Sequence, residues 1–500
     1  MPGKHPRALL HESRPIFEQG SPGRTGASLP ALDVPARDPG VDWPAALRRG
    51  DAPHLPEVSE VEVTRHFTRL SRWNYAIDLG MYPLGSCTMK YNPKVNERAA
   101  RMPAFSGLHP AQPEETLEGA LALMWGLERA LCEITGFQRA TLQPAAGAHG
   151  ELTGLMMIRA YHQDHGGKAR KKIIIPDSAH GTNPASCTLN GFEALGIKTG
   201  AGGVIEVEAV RAACAAHPGA IAGIMLTNPS TLGLFETKIA EITEVVHAAG
   251  GLCYMDGANL NALMGKFRPG DAGLDVMHIN LHKTFTTPHG GGGPGAGPVA
   301  VGAALEPYLP TPMVAREGER FRWDFARPRS IGRVRAGSSN FGMLVRAYAY
   351  IREMGGPGLT QATEMAVLNA NYIRKKLEDV YPVAFDRACM HEVVFSDKKL
   401  KKETGISTLD VAKRLMDHGF HPPTIYFPLV VPGALMIEPT ETETPESLDE
   451  LCTALREIAA EAVSDPDKVH AAPHTTGLRR LDETLAARHP RLRWTPKAAE

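Results

Sequence analysis

The chain has 500 residues, of which 43% are hydrophobic and 22% charged, and its formal net charge is −1. This composition is typical of a globular protein with more than one domain, and it gives no electrostatic reason to expect binding to nucleic acid. No apolar run approaches the ~20 residues that a membrane-spanning helix needs. Seven scattered cysteines without a C-x-x-C pair argue against a disulfide framework and a zinc site, and favour a reducing, cytoplasmic location.

The N-terminal part of the chain has two open interpretations. Residues 1–55 are rich in Pro, Gly and Arg and show weak periodicity, so they are either a disordered tail or an extended arm that wraps a partner subunit. Apolar residues at helical spacing then predict a helix over 58–75, with Ser59 as its N-cap, and an amphipathic helix over 113–136.

The middle of the chain alternates short apolar runs with helical stretches, which predicts βαβ units and a mainly parallel sheet. The predicted strands are 171–177, 221–227, 251–256 and 275–281. Each is followed at once by polar or glycine residues. Because the carboxyl ends of parallel strands lie at one edge of a sheet, we expect these polar clusters to converge there.

The C-terminal part predicts a smaller α+β domain. A helix over 340–356 ends in Gly355-Gly356-Pro357-Gly358, which indicates a hinge, and a long helix over 360–380 follows. Beyond it we predict strands over 380–385, 391–396 and 434–439 and helices over 408–419 and 445–463. The expected division is an N-terminal arm with a helical segment (1–110), a large α/β domain (111–355), a small domain (356–464) and a C-terminal extension (465–500).

Two charged residues end neighbouring predicted strands. Asp256 closes one apolar run and Lys283 follows the next. Pyridoxal phosphate needs such a pair: a lysine amine holds its aldehyde carbon as a Schiff base, and a carboxylate keeps its pyridine nitrogen protonated, so that the ring can accept electrons. The pair therefore predicts a pyridoxal-phosphate site.

Two further features fit the same cofactor. Ala146, Gly147 and Ala148 precede a helix that starts near Glu151, and backbone N–H groups at a helix N-terminus bind phosphate. His180 follows a predicted strand, where its ring could stack on the cofactor. Each residue alone has an ordinary explanation as a surface cation, a cap, a structural histidine or a turn glycine, but their joint order is far more specific.

The glycine run 290–297 invites a nucleotide-binding interpretation. It lacks the G-K-[ST] ending of a phosphate-binding P-loop, since Gly297 is followed by Pro298 and Val299. We interpret it as a flexible loop that allows backbone to approach the cofactor or a neighbouring subunit closely.

Five long motifs resemble the glycine decarboxylase (P-protein) family of the glycine cleavage system. They are MYPLGSCTMKYNPK (81–94), SAHGTNPAS (178–186), TNPSTLGLFE (227–236), MDGANLNALMG (255–265) and HINLHKTFTTPHGGGGPGAGPV (278–299). The resemblance extends from near Ser13 to about Ala460. It implies a large domain of pyridoxal-phosphate fold type I, which is the aspartate-aminotransferase type.

The family has two-chain forms, and this chain resembles the lysine-bearing, C-terminal-type half, called subunit 2. The resemblance implies a glycine dehydrogenase (aminomethyl-transferring) that decarboxylates glycine, releases CO₂ and passes the aminomethyl group to the lipoyl arm of H-protein. It also implies a subunit 1 partner and an α₂β₂ heterotetramer, with neither a metal nor a membrane involved.

The resemblance assigns roles by position. Lys283 holds the cofactor, Asp256 pairs with the pyridine nitrogen and His180 stacks on the ring. The remaining expected cofactor contacts are Ala146, Gly147 and Ala148 at the phosphate and Thr227, Asn259 and His282 at the ring, its hydroxyl or the phosphate. Relatives often carry a small hydroxyl residue near this glycine, whereas Ala146 offers no side-chain hydroxyl to the phosphate.

Three other segments are assigned less directly. The resemblance suggests that Gly337-Ser338-Ser339 reaches a cofactor across a subunit boundary. Residues 82–90, with His109, either line the substrate entrance or simply pack as an irregular loop.

Two other functions stay open at this point. The first is a different fold type I enzyme, such as a cysteine desulfurase or an amino-acid decarboxylase, although no cysteine lies in an evident active-site loop after Lys283. The second is a scaffold without catalytic activity that only pairs with other proteins.

Overall fold

The computed structural model describes residues 14–51, 53–289 and 295–495. Most of the glycine run predicted to be a flexible loop, residues 290–294, lies outside the described residues, as do residues 1–13 of the predicted arm and 496–500 of the predicted extension. The described residues divide into two compact units: those up to Leu79 together with those from Pro473 onward form one, and those from Gly80 to Ala472 form the other.

The helices and strands alternate through most of the second unit. In chain order the α-helices are α1 (Pro39–Asp42), α2 (Glu60–Ser71), α3 (Lys94–Ala100), α4 (Pro103–Ser106), α5 (Glu118–Thr135), α6 (Gly147–Asp164), α7 (Thr182–Leu189), α8 (Val207–Ala216), α9 (Ile239–Ala248), α10 (Phe341–Leu377), α11 (Lys398–Thr404), α12 (Thr408–Asp417), α13 (Pro445–Ser464), α14 (Pro466–His470) and α15 (Glu483–Arg488). The strands are β1 (Arg139–Thr141), β2 (Lys172–Pro176), β3 (Glu193–Ile197), β4 (Ile221–Thr227), β5 (Leu252–Gly257), β6 (Val276–Ile279), β7 (Val299–Val301), β8 (Met313–Glu317), β9 (Arg320–Asp324), β10 (Val393–Ser396), β11 (Thr424–Ile425) and β12 (Ala434–Ile437). Among the described residues, none of these helices combines the length and the apolar character needed to cross a membrane.

The first unit contains the predicted N-terminal helix. The Ser59 side chain accepts a hydrogen bond from the backbone N–H of Glu62, and the Glu62 carboxylate accepts one from the N–H of Ser59. This capping box satisfies two N–H groups at the start of α2, which confirms the predicted cap. The aromatic rings of Phe17 and Trp494 stack with their centres 5.3 Å apart, so residues from both ends of the chain pack within this unit.

A seven-stranded sheet forms the centre of the second unit. Its strand order is β1-β7-β6-β5-β4-β2-β3, and β7 is the strand that runs antiparallel to its neighbours. The pairs β2·β3, β2·β4, β4·β5 and β5·β6 are parallel. The predicted mainly parallel sheet is confirmed.

Helices cover both faces of this sheet, which explains why its central strands are continuous apolar runs. On β5, Cys253 and Met255 belong to the hydrophobic cluster on one face, which α5 and α9 complete. Leu252 and Tyr254 belong to the cluster on the other face, which residues of α6 complete. The alternation fixes the register of β5 and therefore the position of Asp256 at its carboxyl end.

A second, antiparallel sheet of three strands, in the order β10-β12-β11, forms the α+β part with α12 and α13 packed against it. The predicted strand over 380–385 is wrong: among the described residues this segment makes one isolated bridge, between Val383 and Phe395. Pro382 has no N–H to donate, so a continuous ladder cannot form there.

Helix α10 is interrupted where a hinge was expected. Gly355 has φ 60° and ψ 179°, which is far from helical, and Pro357 follows it. The division into domains at this point stays a prediction.

Candidate active site

A cavity of about 290 Å³ opens at the carboxyl edge of the large sheet. Its wall includes Thr227 at the end of β4, Asp256 at the end of β5, Lys283 after β6 and His180 after β2. Gly147, at the start of α6, faces them. The clusters predicted to converge at one edge are therefore brought together.

Lys283 is held by the irregular segment near residue 86. Its Nζ donates a hydrogen bond of 2.8 Å to the backbone oxygen of Ser86. Ser86 has φ 63°, a left-handed conformation that is costly for a residue with a Cβ. Its N–H donates to Glu392 Oε2 at 2.8 Å. The strained Ser86 peptide thus links Lys283 to a buried carboxyl group.

Asp256 lies in a buried polar network. Its Oδ2 accepts a hydrogen bond of 3.0 Å from Asn183 Nδ2, and its Oδ1 accepts one of 3.1 Å from the N–H of Ala258. His278 Nε2 lies 3.2 Å from Oδ1. The other ring nitrogen of His278 shares a hydrogen bond of 2.8 Å with the hydroxyl of Tyr254.

This network keeps Asp256 ionised. Burial opposes ionisation of the carboxyl, but the charge of His278 and the hydrogen bonds outweigh it and hold the pKa of Asp256 well below its usual value. Burial also opposes the charged form of His278, and the Asp256 carboxylate outweighs it and raises the pKa of that imidazole. A carboxylate in this state can keep a facing pyridine nitrogen protonated.

The loop before α6 and the first residues of that helix, 146–148, form a closely packed site that we call the Gly147 cradle. Helix α6 begins at Gly147, and Ala146 provides no side-chain cap, so the first N–H groups of the helix are not satisfied by a capping side chain. A Cβ on Gly147 would lie 2.6 Å from Oδ1 of Asn280. A side chain at this position would therefore have to displace Asn280, while Ala148 beside it also lines the cavity.

Three other predicted residues lie on the cavity wall in different states. His180 is exposed and shares a hydrogen bond of 2.8 Å with Thr182. The hydroxyl of Thr227 is buried and has no hydrogen-bond partner among the described residues. Asn259 lines the cavity, but its Nδ2 donates to Glu438 Oε1 at 3.0 Å.

The structure does not bring every predicted residue to this cavity. His282 is buried, and its ring packs edge-on against His289 with the ring centres 5.1 Å apart, away from the residues that line the cavity. His109 and residues 337–339 line a separate cavity of about 170 Å³.

Several residues on or behind the cavity wall were not singled out from the sequence. They are Asn280, His391, Glu392 and Glu438, whereas Ser86 belongs to the segment 82–90 that the sequence offered as a possible entrance. Burial, together with the neighbouring Glu438, raises the pKa of Glu392 to about 8. The only sequence signal for the two glutamates is that each borders an apolar strand.

Comparison with known sequences identifies close relatives of this chain. Residues 362–475 match the family model described as glycine dehydrogenase, C-terminal domain. The chain is 58% identical over 480 residues to the probable glycine dehydrogenase (decarboxylating) subunit 2 of Caldanaerobacter subterraneus subsp. tengcongensis, covering 96% of this chain and 98% of that protein. It is 54% identical over 486 residues to the protein of the same name from Listeria innocua serovar 6a, covering 97% and 99%.

Solved structures show the same fold at low sequence identity. An inhibitor-bound glycine decarboxylase (P-protein) of the glycine cleavage system matches with a TM-score of 0.67 at 20% identity, covering 83% of this chain and 93% of that chain. The Oryza sativa protein TDC, solved with PLP and tryptamine, matches with a TM-score of 0.64 at 14% identity, covering 83% and 90%. These matches confirm the predicted fold type I.

The Asp256–His278 pair generates a test of stability against pH. Wild-type protein should exceed His278→Gln in its free energy of unfolding by on the order of 2 kcal/mol below about pH 6. Because the folded pKa of His278 is raised, this difference should be lost as the pH rises through that pKa, where the imidazole becomes neutral. Urea unfolding at about pH 6 and about pH 9 measures it. The exposed His165→Gln serves as the control, and a difference that grows with pH would contradict the charged pair.

Proposed function

We propose a function for this chain from the premise that it belongs to the glycine dehydrogenase (decarboxylating) subunit 2 family. The chain binds pyridoxal phosphate at Lys283 and decarboxylates glycine, and the remaining aminomethyl group passes to the lipoyl disulfide of an H-protein. The main support for the proposal is that Lys283, the ionised Asp256 and the Gly147 cradle all line one cavity.

The donor set of the cavity fits this cofactor. Lys283 supplies the amine that would hold it covalently, and Asp256 supplies a carboxylate for its ring nitrogen. The uncapped start of α6 at Gly147 supplies N–H groups for its phosphate. The hydroxyl of Thr227 and the amide oxygen of Asn280 are buried and have no hydrogen-bond partner within the described part of the chain, so a bound ligand would satisfy them.

The chain's own residues orient and polarise what binds in the cavity. Pyridoxal phosphate, when bound, supplies a conjugated ring that accepts the electron pair released as the carboxylate of glycine leaves. Asp256 holds negative charge at the end of β5, and His278 behind it stabilises that charge. The Ser86 carbonyl holds the Lys283 amine toward the cavity.

The proposed partners are inferred from the names of the relatives. Because those proteins are called subunit 2, we infer a subunit 1 partner for this chain, and we retain the α₂β₂ stoichiometry and the lipoylated H-protein as parts of the proposal. The cytoplasmic location also remains a proposal, supported by seven cysteines that are all free thiols.

A cysteine desulfurase is the alternative within the same fold. Among the described cavity neighbours, Cys87 is the thiol on the segment that carries Ser86. Burial raises the pKa of the Cys87 thiol, which disfavours the thiolate that a desulfurase nucleophile needs. The raised pKa of this thiol therefore counts against a desulfurase.

The overall reaction can be tested by isotope exchange. The chain, loaded with pyridoxal phosphate and combined with subunit 1 and lipoylated H-protein, should incorporate labelled bicarbonate into the carboxyl group of glycine. Omitting H-protein is the control and should abolish the exchange. Absence of exchange in a verified, cofactor-loaded complex would refute the function.

The covalent attachment has a specific test. Lys283→Ala should fold and yet lose borohydride-fixed pyridoxal phosphate entirely, because Lys283 is the one lysine among the described residues that line the cavity. Peptide mass spectrometry of the reduced wild-type protein should locate the label at Lys283. Lys266→Ala, which removes a surface lysine paired with Glu364, is the matched control and should retain the label. A label on another lysine would overturn the assignment.

The ring-nitrogen partner has a separate test. Asp256→Asn should still bind pyridoxal phosphate but lose at least about 100-fold in turnover, because a neutral amide cannot hold the ring nitrogen in its charged form. Cofactor absorbance measures binding, and CO₂ release from glycine measures turnover. Turnover equal to that of the wild type would refute this role.

A further inference from the structure

A buried acidic cluster lies behind Lys283. An oxygen of Glu392, an oxygen of Glu438 and a ring nitrogen of His391 all lie within 4.8 Å of one another. Glu392 is 2% exposed and Glu438 is 0% exposed. Glu392 and His391 also line the cavity that contains Lys283, so one member of the carboxyl pair is on the wall and the other is behind it.

The two carboxyl groups differ in their hydrogen bonds. Oε1 of Glu438 accepts from Thr88 Oγ1 at 2.6 Å, Asn259 Nδ2 at 3.0 Å and Asn261 Nδ2 at 3.4 Å, which is the surrounding of an ionised carboxylate. Within the described ranges, Glu392 accepts one hydrogen bond, from the N–H of Ser86. Oε2 of Glu438 is buried and has no partner among the described residues.

Two carboxyl groups that are this close together and this well shielded from water cannot both be ionised without a large unfavourable free energy. Burial and Glu438 raise the pKa of Glu392 to about 8, and burial raises that of Glu438 to about 7. Near neutral pH the pair holds a proton, and Glu392, with fewer donors, is the better place for it. The other charged or titratable groups that face the pair are Lys283, His391, Cys87, Glu441 and Lys90.

The proposed reaction needs a proton at a defined atom. When the carbon–carbon bond of glycine breaks, CO₂ leaves and the electron pair stays with the aminomethyl carbon. That carbon bonds to one sulfur of the lipoyl disulfide, the S–S bond breaks, and its electron pair leaves on the second sulfur. This sulfur is then a thiolate, and a proton must reach it to complete the dithiol-level product.

We propose that Glu392 is the acid that gives this proton, and that Glu438 is the positioning residue that keeps Glu392 protonated between turnovers. The proposal rests on the proposed function, since it takes a lipoyl disulfide as the acceptor. The carboxyl proton of Glu392 moves to the thiolate sulfur, and the resulting Glu392 carboxylate recovers a solvent proton before the next turnover.

Other groups on the wall fit this task less well. Asp256 is held in its ionised form by His278. Burial lowers the pKa of His391 to about 3, so this imidazole carries no proton to give at neutral pH beyond its neutral N–H. Lys283 Nζ donates to the Ser86 carbonyl and is committed to the cofactor. His278 also holds a proton, but its two ring nitrogens face Asp256 and the hydroxyl of Tyr254. We therefore assign the proton donor on this wall to Glu392, which holds its proton near pH 7.

The decisive variant is Glu392→Gln in the complete complex with subunit 1, pyridoxal phosphate and lipoylated H-protein. It keeps an oxygen for the Ser86 N–H but cannot donate a carboxyl proton. We expect wild-type cofactor content and single-turnover aminomethyl transfer that is slower by about 100-fold or more. Wild-type transfer should decline as the pH rises through about 8, where Glu392 ionises, and the variant should lack this decline.

Glu236→Gln is the matched control. Glu236 is also buried, its pKa is raised to about 7 by burial, and it accepts hydrogen bonds from the N–H of Ile205. It is not among the residues that line the cavity, so Glu236→Gln should transfer at the wild-type rate. Equal slowing in both variants would show a general effect of burying an amide and would overturn the specific role.

An infrared measurement gives a readout that does not depend on activity. The wild-type spectrum minus that of Glu392→Gln should contain the carbonyl stretch of a protonated carboxylic acid, and this band should vanish as the pH rises through about 8. Absence of the band at about pH 6 would overturn the protonated pair.

The outcomes also separate this proposal from the proposed function. A wild-type complex that releases no CO₂ from glycine refutes the function. A wild-type complex that is active, beside a Glu392→Gln variant with the same rate and the same pH decline, refutes only the acid. One equivalent of tightly bound metal in the wild type that is lost in Glu392→Gln would assign the cluster to metal binding and would also overturn it.

Discussion

The parallel pairing of β4, β5 and β6 is the constraint on which the site depends. Parallel neighbours end at the same edge, and their apolar residues are buried on both faces, so polar side chains appear only where the strands stop. In this protein the register places Thr227 opposite Asp256, and Lys283 follows within a few residues of the end of β6. A shift of one residue in β5 would turn Asp256 toward the core cluster and remove the charge from the cavity.

This constraint explains which parts of the site could be predicted. Asp256 and Lys283 end apolar runs, and βαβ connectivity then determines that they share an edge. His282 could not be placed in the same way, because it lies in a turn after β6 where adjacent side chains point in different directions. Lys283 reaches the cavity, whereas His282 packs against His289. Spacing along the chain determines the edge but not the direction of each side chain in a turn.

The proximity of Glu392 and Glu438 could not be predicted from the sequence, for a different reason. Glu392 and Glu438 border strands of the second sheet, more than 100 residues after Lys283, and the antiparallel pairing of Val393 with Ile437 brings them together. Their approach to Lys283 depends on the packing of that sheet against the irregular segment that carries Ser86 and Thr88. The hydrogen bonds of Thr88 to Glu438 and of Ser86 to Glu392 connect partners that are 350 and 306 residues apart. No local periodicity predicts contacts of this range.

The two sides of the cavity therefore hold the same chemical group, a carboxyl, in opposite ionisation states. On the β5 side, a carboxyl group has a buried imidazole as its counter-charge, so Asp256 is ionised although it is buried. On the side of the second sheet, a carboxyl group has another carboxyl group as its neighbour, so Glu392 retains a proton at pH values where an exposed glutamate has lost it. Lys283 lines the same cavity as both of these carboxyl groups. Their surroundings shift the pKa values of these carboxyl groups in opposite directions. A single cavity therefore holds both a carboxylate that stays negatively charged and a carboxylic acid that can donate a proton. Electron withdrawal requires the first group, and proton donation requires the second.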